Sequence, residues 1–202
     1  IVDNGNGTWT FTPNANYNGP AVLSYNVSDG QYTVTNTANI SISAVNDAPV
    51  IGATTLTTAE DTPLTITPAL LNATDVETAQ ASLTVTGVTI VEGSGSYNSG
   101  TGVFTPAANF NGTVVLQVTV SDGTTTSTKT IPLTVTAAND APTAVAASLS
   151  TSEDTPIVFT TAQLVGASSD IDGNALSISG TVTPSSGTIT DNGNGTWTFT
   201  PA

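Results

Sequence analysis

The chain has 202 residues, with 15 acidic side chains against a single basic one, Lys129, no histidine and a net charge of −14. Such a charge repels the phosphates of nucleic acid and of anionic lipid, which excludes both as electrostatic partners, and it favours cations. Cysteine and methionine are absent, while apolar residues make up 38% of the chain and charged ones only 8%. Cores can therefore be built, but neither thiol chemistry nor disulfide staples are available.

The chain opens on DNGNGTWTFTP at 3–13 and carries the same letters again at 191–201. Self-similarity at a fixed spacing marks a repeat array. VSDG at 27–30 returns at 120–123, VNDAP at 45–49 returns as ANDAP at 138–142, and EDTP at 60–63 returns at 153–156, each 93 residues later. A weaker copy of the opening phrase, SYNSGTGVFTP, lies at 96–106. These spacings divide the chain into the back of one repeat (1–46), a whole repeat (47–140) and the front of a third (141–202). A unit of this size is large enough to fold alone. Neither end falls at a repeat boundary, so the chain is expected to be a window on a longer, filament-like array. In it the strands that complete 1–46 and 141–202 come from beyond the window or from a head-to-tail neighbour.

In the opening phrase the Asn-Gly pairs supply the positive φ of a hairpin turn. TWTFTP then alternates Thr outward with Trp9 and Phe11 inward, which places both rings in a core rather than on a sugar-stacking surface. Further along, LTVTGVTIV (83–91), TVVLQVTV (113–120) and KTIPLTV (129–135) alternate aliphatic residues with Thr and Ser, the two-residue period of half-buried strands. NDAP, NGNG, SDG and EGSGS separate such runs, and the best helical stretch, PALLNA at 68–73, is about one turn long. No apolar run reaches membrane-spanning length. The pattern predicts an all-β chain of tandem immunoglobulin-like antiparallel sandwiches with about seven strands each. Pro49 and Pro142 fix their own φ and push the preceding residue to extended geometry, which makes each NDAP element a short, semi-rigid joint.

The acids gather in turns that recur in each copy: Asn46-Asp47 and Asn139-Asp140 in the joints, Glu60-Asp61 and Glu153-Asp154, Asp75-x-Glu77 and Asp170-x-Asp172, and Asp29 and Asp122 of SDG. About ten extended residues span roughly 33 Å, so the chain crosses a sandwich once between Asp47 and Glu60 and returns by Asp75. Glu60 then lies at the far end of its domain, with Asp75, Glu77 and Asp122 at the near end, and each joint collects carboxylates from both neighbouring repeats. Carboxylates crowded together repel one another unless a cation neutralises them. Oxygen ligands without His or Cys suit Ca²⁺ rather than a transition metal. The simpler alternative is that these turns only face water.

At these residues the chain resembles the cadherin-like tandem repeats of bacterial RTX-type adhesins and giant surface proteins. NDAP is similar to the cadherin joint pattern Asp-x-Asn-Asp-x-Ala-Pro, EDT to the glutamate-bearing motif after the first strand, SDIDGN to Asp-x-Asp, and VSDG to the Ala-x-Asp-x-Gly hairpin. The resemblance implies that Asn46 and Asp47 share calcium with Asp75, Glu77 and Asp122. It also implies that Asn139 and Asp140 share it with Glu60, Asp170 and Asp172, the carbonyl of Asn174 being an additional candidate. Where cadherins place acids ahead of the penultimate strand, this chain has NYNG and NFNG, so Asn16, Asn18, Asn109 and Asn111 imply fewer or weaker sites. The implied role is a non-catalytic extender of a long extracellular fibre on a bacterial surface, its neighbouring repeats being its main partners. A carbohydrate- or protein-binding module is the alternative and would need exposed aromatic rings, with Tyr17 and Phe110 as the paired candidates. Catalysis would need a carboxylate pair in one unique cleft, which repeat-spaced acids do not supply.

Overall fold

A computed structural model describes residues 1–202, and the chain forms two compact units, Ile1–Thr136 and Ala137–Ala202. The first unit begins with two hairpins. β1 (Val2–Asp3) pairs with β2 (Trp9–Thr10) across the NGNG turn. β3 (Gly19–Ser28) pairs with β4 (Thr33–Ile42) across SDG, from Gly19 opposite Ile42 to Ser28 opposite Thr33.

Residues 47–136 hold nine further strands in chain order: β5 (Val50–Ile51), β6 (Leu56–Ala59), β7 (Leu64–Thr65), β8 (Ala73–Thr74), β9 (Thr84–Glu92), β10 (Gly95–Asn98), β11 (Val103–Pro106), β12 (Gly112–Ser121) and β13 (Thr126–Thr136). One sheet has the order β6-β13-β12-β9 and a second the order β10-β11-β7, with β5 and β8 paired separately. The pairings are antiparallel except β6 with β13, which run parallel from Leu56 opposite Leu133 to Ala59 opposite Thr136. Both strands travel away from the Asn46 joint, which is why they share a direction. PALLNA forms a single hydrogen-bonded turn, closed by Leu71 N–H to Thr67 O (3.1 Å) and Ala73 N–H to Pro68 O (2.9 Å).

The two-residue period sets the core. Val114, Leu116, Val118 and Val120 of β12 face inward with Ile131, Leu133 and Val135 of β13, and they pack with Leu71 and Phe104 in one buried cluster. Phe104 presses on Gly95 so closely that a Cβ there would lie 2.8 Å from its ring, at a φ of 155°. Only glycine fits at that point.

The β3–β4 hairpin has the same register as β12–β13, displaced by 93 residues: Gly112 stands opposite Val135 as Gly19 stands opposite Ile42. Its burial is different. No residue of 1–46 is buried, and Trp9, expected in a core, is 66% exposed. The alternation that turns Trp9 to one face is present, but the ring only borders an open groove with Leu23, Tyr25 and Ala38 of β3–β4 and is not buried by it.

In the second unit β14 (Ile157–Thr160) leads directly into α1 (Thr161–Val165), followed by β15 (Thr188–Asp191) and β16 (Thr196–Thr200), in the sheet order β14-β16-β15. Thr160 and Gln163 form a reciprocal capping box that starts α1. Phe159, the one buried residue of this unit, stacks on Trp197 with ring centroids 6.1 Å apart, so the tryptophan of the second copy of the phrase does find an aromatic partner. No helix of the chain is long and apolar enough to cross a membrane.

Truncation of the fully buried Phe104 to alanine is expected to lower the unfolding free energy of the 47–136 sandwich by about 3–5 kcal/mol in a denaturant melt. A loss below about 1 kcal/mol would show that the assigned core does not hold that sandwich together.

Candidate functional site

The residues singled out from the sequence fall into two places built alike. At the first joint Asn46 Nδ2 lies among three oxygens, donating to Asp47 O (2.7 Å), Asp122 Oδ2 (2.8 Å) and Thr125 Oγ1 (3.0 Å). The Asp47 N–H donates to Glu77 Oε2 (3.2 Å). Asp75 Oδ1 accepts the N–H groups of Glu77 (3.0 Å) and Thr78 (2.8 Å), which folds the Asp-x-Glu turn over its own carboxylate. Asn46, Asp47, Asp75, Glu77 and Asp122 are thereby brought together.

In the second unit the wiring recurs. The Asp140 N–H donates to Asp172 Oδ2 (2.7 Å), Asp172 N–H donates to Asp170 Oδ1 (3.0 Å), and Asn139 Nδ2 donates to Asp140 O (2.8 Å). The side chain of Asn174 also takes part, donating through Nδ2 to Asn139 Oδ1 (2.6 Å). Glu60 stands apart from the first joint: it is buried at 3% exposure, its N–H reaches Thr136 O (2.9 Å) at the end of β13, and its Oε2 accepts from Asn111 Nδ2 (3.5 Å). Beside it Asp61 Oδ1 accepts the N–H of Asn109 (3.1 Å), so the asparagines of NFNG meet the Glu-Asp turn.

One contact carries no signal that sequence reasoning could use. Thr125 bridges Asp122 Oδ2 (2.7 Å) and Asp47 O (3.2 Å), yet Tyr32 stands at its place one repeat earlier. Asn174 is at hand as a side chain, not only as a carbonyl.

The aromatic rings of NYNG and NFNG anchor their own loops. Tyr17 OH donates to Pro20 O (2.7 Å), Phe110 packs against the core, and the bare Cα face of Gly112 lies under the Phe110 ring. An open cavity of about 310 Å³ adjoins the first joint, lined by Asn14, Asn16, Tyr17, Asn18, Asp47 and Glu77 among others.

Electrostatically, the SDG turns favour the charged form of their aspartates. Asp29 and Asp122 occupy the same SDG turn one repeat apart. Both are held below the ordinary aspartate value, Asp29 by the N–H groups of Tyr32 and Gln31, Asp122 first by the Asn46 amide and then by Thr125 N–H. Asp75 Oδ2 is buried with no hydrogen-bond donor, at a desolvation cost on the order of 1–3 kcal/mol. Nowhere do three acidic side chains converge into a ready-made metal cage. The donor set is mixed instead: carboxylates, an asparagine amide and backbone carbonyls. That chemistry fits a hard divalent cation such as calcium, and the unsatisfied Asp75 oxygen points the same way.

A family model described as Cadherin-like domain matches residues 1–43, 45–136 and 138–202. The chain belongs to the cadherin-like domain family. No curated protein matches the chain. Among solved structures, an endo-fucoidan hydrolase of glycoside hydrolase family 107 is 19% identical over 94% of this chain and 30% of its own, with a TM-score of 0.29. Domains 4–9 of the surface layer protein SbsC are 16% identical over 91% of this chain and 31% of theirs, with a TM-score of 0.31. This cadherin-like chain thus spans about a third of these solved chains, and at such scores neither likeness bears on its function.

Because the Asp122 pKa is depressed in the folded protein, its stabilising contribution is fully present above the ordinary carboxylate range. It fades as pH falls below about 4 toward the depressed value. In an NMR titration Asp122 is expected to titrate below Asp29, and Asn46→Ala is expected to raise the Asp122 value toward that of Asp29 while leaving Asp29 in place. An unmoved Asp122 would show that the Asn46 contact is not what holds it down.

Proposed function

We propose that the cadherin-like repeats of this chain are non-catalytic extender modules of a long extracellular adhesin or surface fibre, with calcium stiffening the joints. The observation that carries this reading is the Asp75 Oδ2 oxygen, buried without a donor in the turn whose Glu77 carboxylate holds the Asp47 amide of the joint. A bound Ca²⁺ would supply the positive charge that relieves the repulsion among these groups. Asp75 would hold it through Oδ2, with Asp122 and Glu77 as further carboxylates and Asn46 and Asp47 as amide and backbone oxygens. In the second unit Asn139, Asp140, Asp170 and Asp172 would act in the same way.

The chain's own residues divide the work. Pro49, buried at the start of the domain, fixes the backbone leaving the joint. Asn46 and Thr125 tie the joint strand to the β12–β13 turn, and Glu77 holds the Asp47 amide. A joint tied at both neighbouring loops resists bending, which a spacer between a cell and its target requires. The family membership and the acidic, cysteine-free composition support an extracellular setting. A bacterial surface and an RTX-type parent rest on the resemblance of the NDAP, EDT and VSDG motifs alone.

Calorimetric titration of the whole chain is expected to give calcium dissociation constants of about 10⁻⁴ to 10⁻³ M. At calcium about ten times the dissociation constant, the domain bordering the joint should gain about 1.4 kcal/mol. Asp75→Asn combined with Asp122→Asn should abolish both effects at the first joint while 47–136 stays folded. No binding heat in the parent chain, or an undiminished response in the double variant, would contradict the assignment.

A further inference from the structure

The whole repeat 47–136 is entered through the Asn46-Asp47 joint and left through β13, so a pull along the chain acts on its first strand and its last. β6 and β13 run parallel over four residue pairs, from Leu56 with Leu133 to Ala59 with Thr136. Drawing β6 back toward the joint and β13 away from it slides one along the other, and the pairs are strained together rather than one at a time.

β5 comes before β6 and takes the pull first. It has two residues, paired with β8 as Val50 with Thr74 and Ile51 with Ala73, and Val50 is 62% exposed. Beyond it Gly52 N–H donates to Asn72 O (3.2 Å) and Ala53 N–H to Leu71 O (2.8 Å) before β6 begins. β5 and β13 belong to different sheets, so no ladder joins them. An open cavity of about 270 Å³ lies there instead, bounded by Pro49, Val50 and Ile51 on one side and by Ser127, Thr128 and Lys129 on the other.

Lys129 crosses that gap. It stands on β13 opposite Val118 of β12, is half-buried, and donates through Nζ to Ile51 O (3.0 Å). No acidic side chain lines the cavity, so in a chain with 15 acids the single lysine ammonium is committed to a backbone carbonyl of the first strand. A charged donor makes this a stronger hydrogen bond than a neutral one. The tie falls between two others: Thr125 Oγ1, in the turn that leads into β13, donates to Asp47 O (3.2 Å) at the joint end, and the β6–β13 pairs lie beyond. The first strand is thereby fastened along the last at three levels. One repeat earlier Asn36 stands at this place, a shorter side chain whose Oδ1 accepts the N–H of Thr37 (2.8 Å).

We propose that Lys129 is a latch against pulling, a side-chain strut that carries force from β5 directly to β13 and keeps the first strand from peeling off the sandwich. The bond is made by the chain's own atoms and needs no calcium, so the two devices act at different places: the ion on the joint, the lysine on the domain behind it. Only the use of the latch in a spacer under tension rests on the function proposed above.

The test holds the 202-residue chain by its two ends at constant force in chelator, where unfolding of 47–136 is recognised by a length gain on the order of 300 Å. Lys129→Met keeps the alkyl stem and removes the donor, while Lys129→Arg keeps a donor. The methionine variant is expected to unfold that repeat about 3- to 10-fold faster than the parent, the factor carried by one lost hydrogen bond, and the arginine variant close to the parent rate. Without force, hydrogen exchange at the Gly52 and Ala53 amides should quicken by a similar factor in the methionine variant, with the Val118 and Ile131 amides unchanged. A methionine variant that unfolds at the parent rate would overturn the proposal, and so would an arginine variant as fast as the methionine one. Exchange that quickens equally at Val118 and Ile131 would also overturn it, because that is general loss of stability and not release of the first strand. A joint that binds no calcium would leave all of these results as they are.

Discussion

A sheet with one apolar face must have that face covered, and most features of this chain follow from whether the cover is present. β12–β13 and β3–β4 share register and alternation, displaced by 93 residues. The first seals Val114, Leu116, Val118 and Val120 completely, while on the second Tyr25 and Val27 are 45% and 55% exposed. Local propensity makes both hairpins. Only the second sheet with Phe104, and the 68–73 turn with Leu71, turn one of them into a core.

The joints obey a second constraint, set by charge. With one lysine, whose Nζ donates to Ile51 O (3.0 Å) rather than to an acid, the carboxylates must be satisfied by neutral donors or by ions. Backbone N–H groups of tight Asx turns take the first oxygen of Asp75, Asp122 and Asp170. The joint strand then supplies donors to the neighbouring loop: Asn46 to Asp122, Asp47 to Glu77, and Asp140 to Asp172. Connecting strand and acidic turn are thus one hydrogen-bonded piece, which links the electrostatics of the joint to its mechanics.

Much of this was legible in the residues. The runs at 83–91, 113–120 and 129–135 coincide with β9, β12 and β13 because a two-residue period leaves a sheet little freedom in which face it buries. The placing of Asp75, Glu77 and Asp122 near Asn46, with Glu60 by the end of β13, followed from strand length alone. Other features depended on neighbours that a sequence does not display. The exposure of Trp9 is decided by what lies beside it, since the same phrase at 191–201 stacks Trp197 on Phe159. The parallel pairing of β6 with β13 is a property of the route between sheets, and the role of Thr125 arises from loop geometry without a repeated signal.

Under the proposed function the first joint is a cation-dependent hinge, rigid when calcium is bound. Residual dipolar couplings from the amides of β3–β4 and β12–β13, measured on one sample with calcium and then with a chelator, test it most directly. A rigid joint requires a single alignment tensor to fit both hairpins in calcium, and two tensors of unequal magnitude after chelation. One unchanged relationship between the hairpins under both conditions would contradict it.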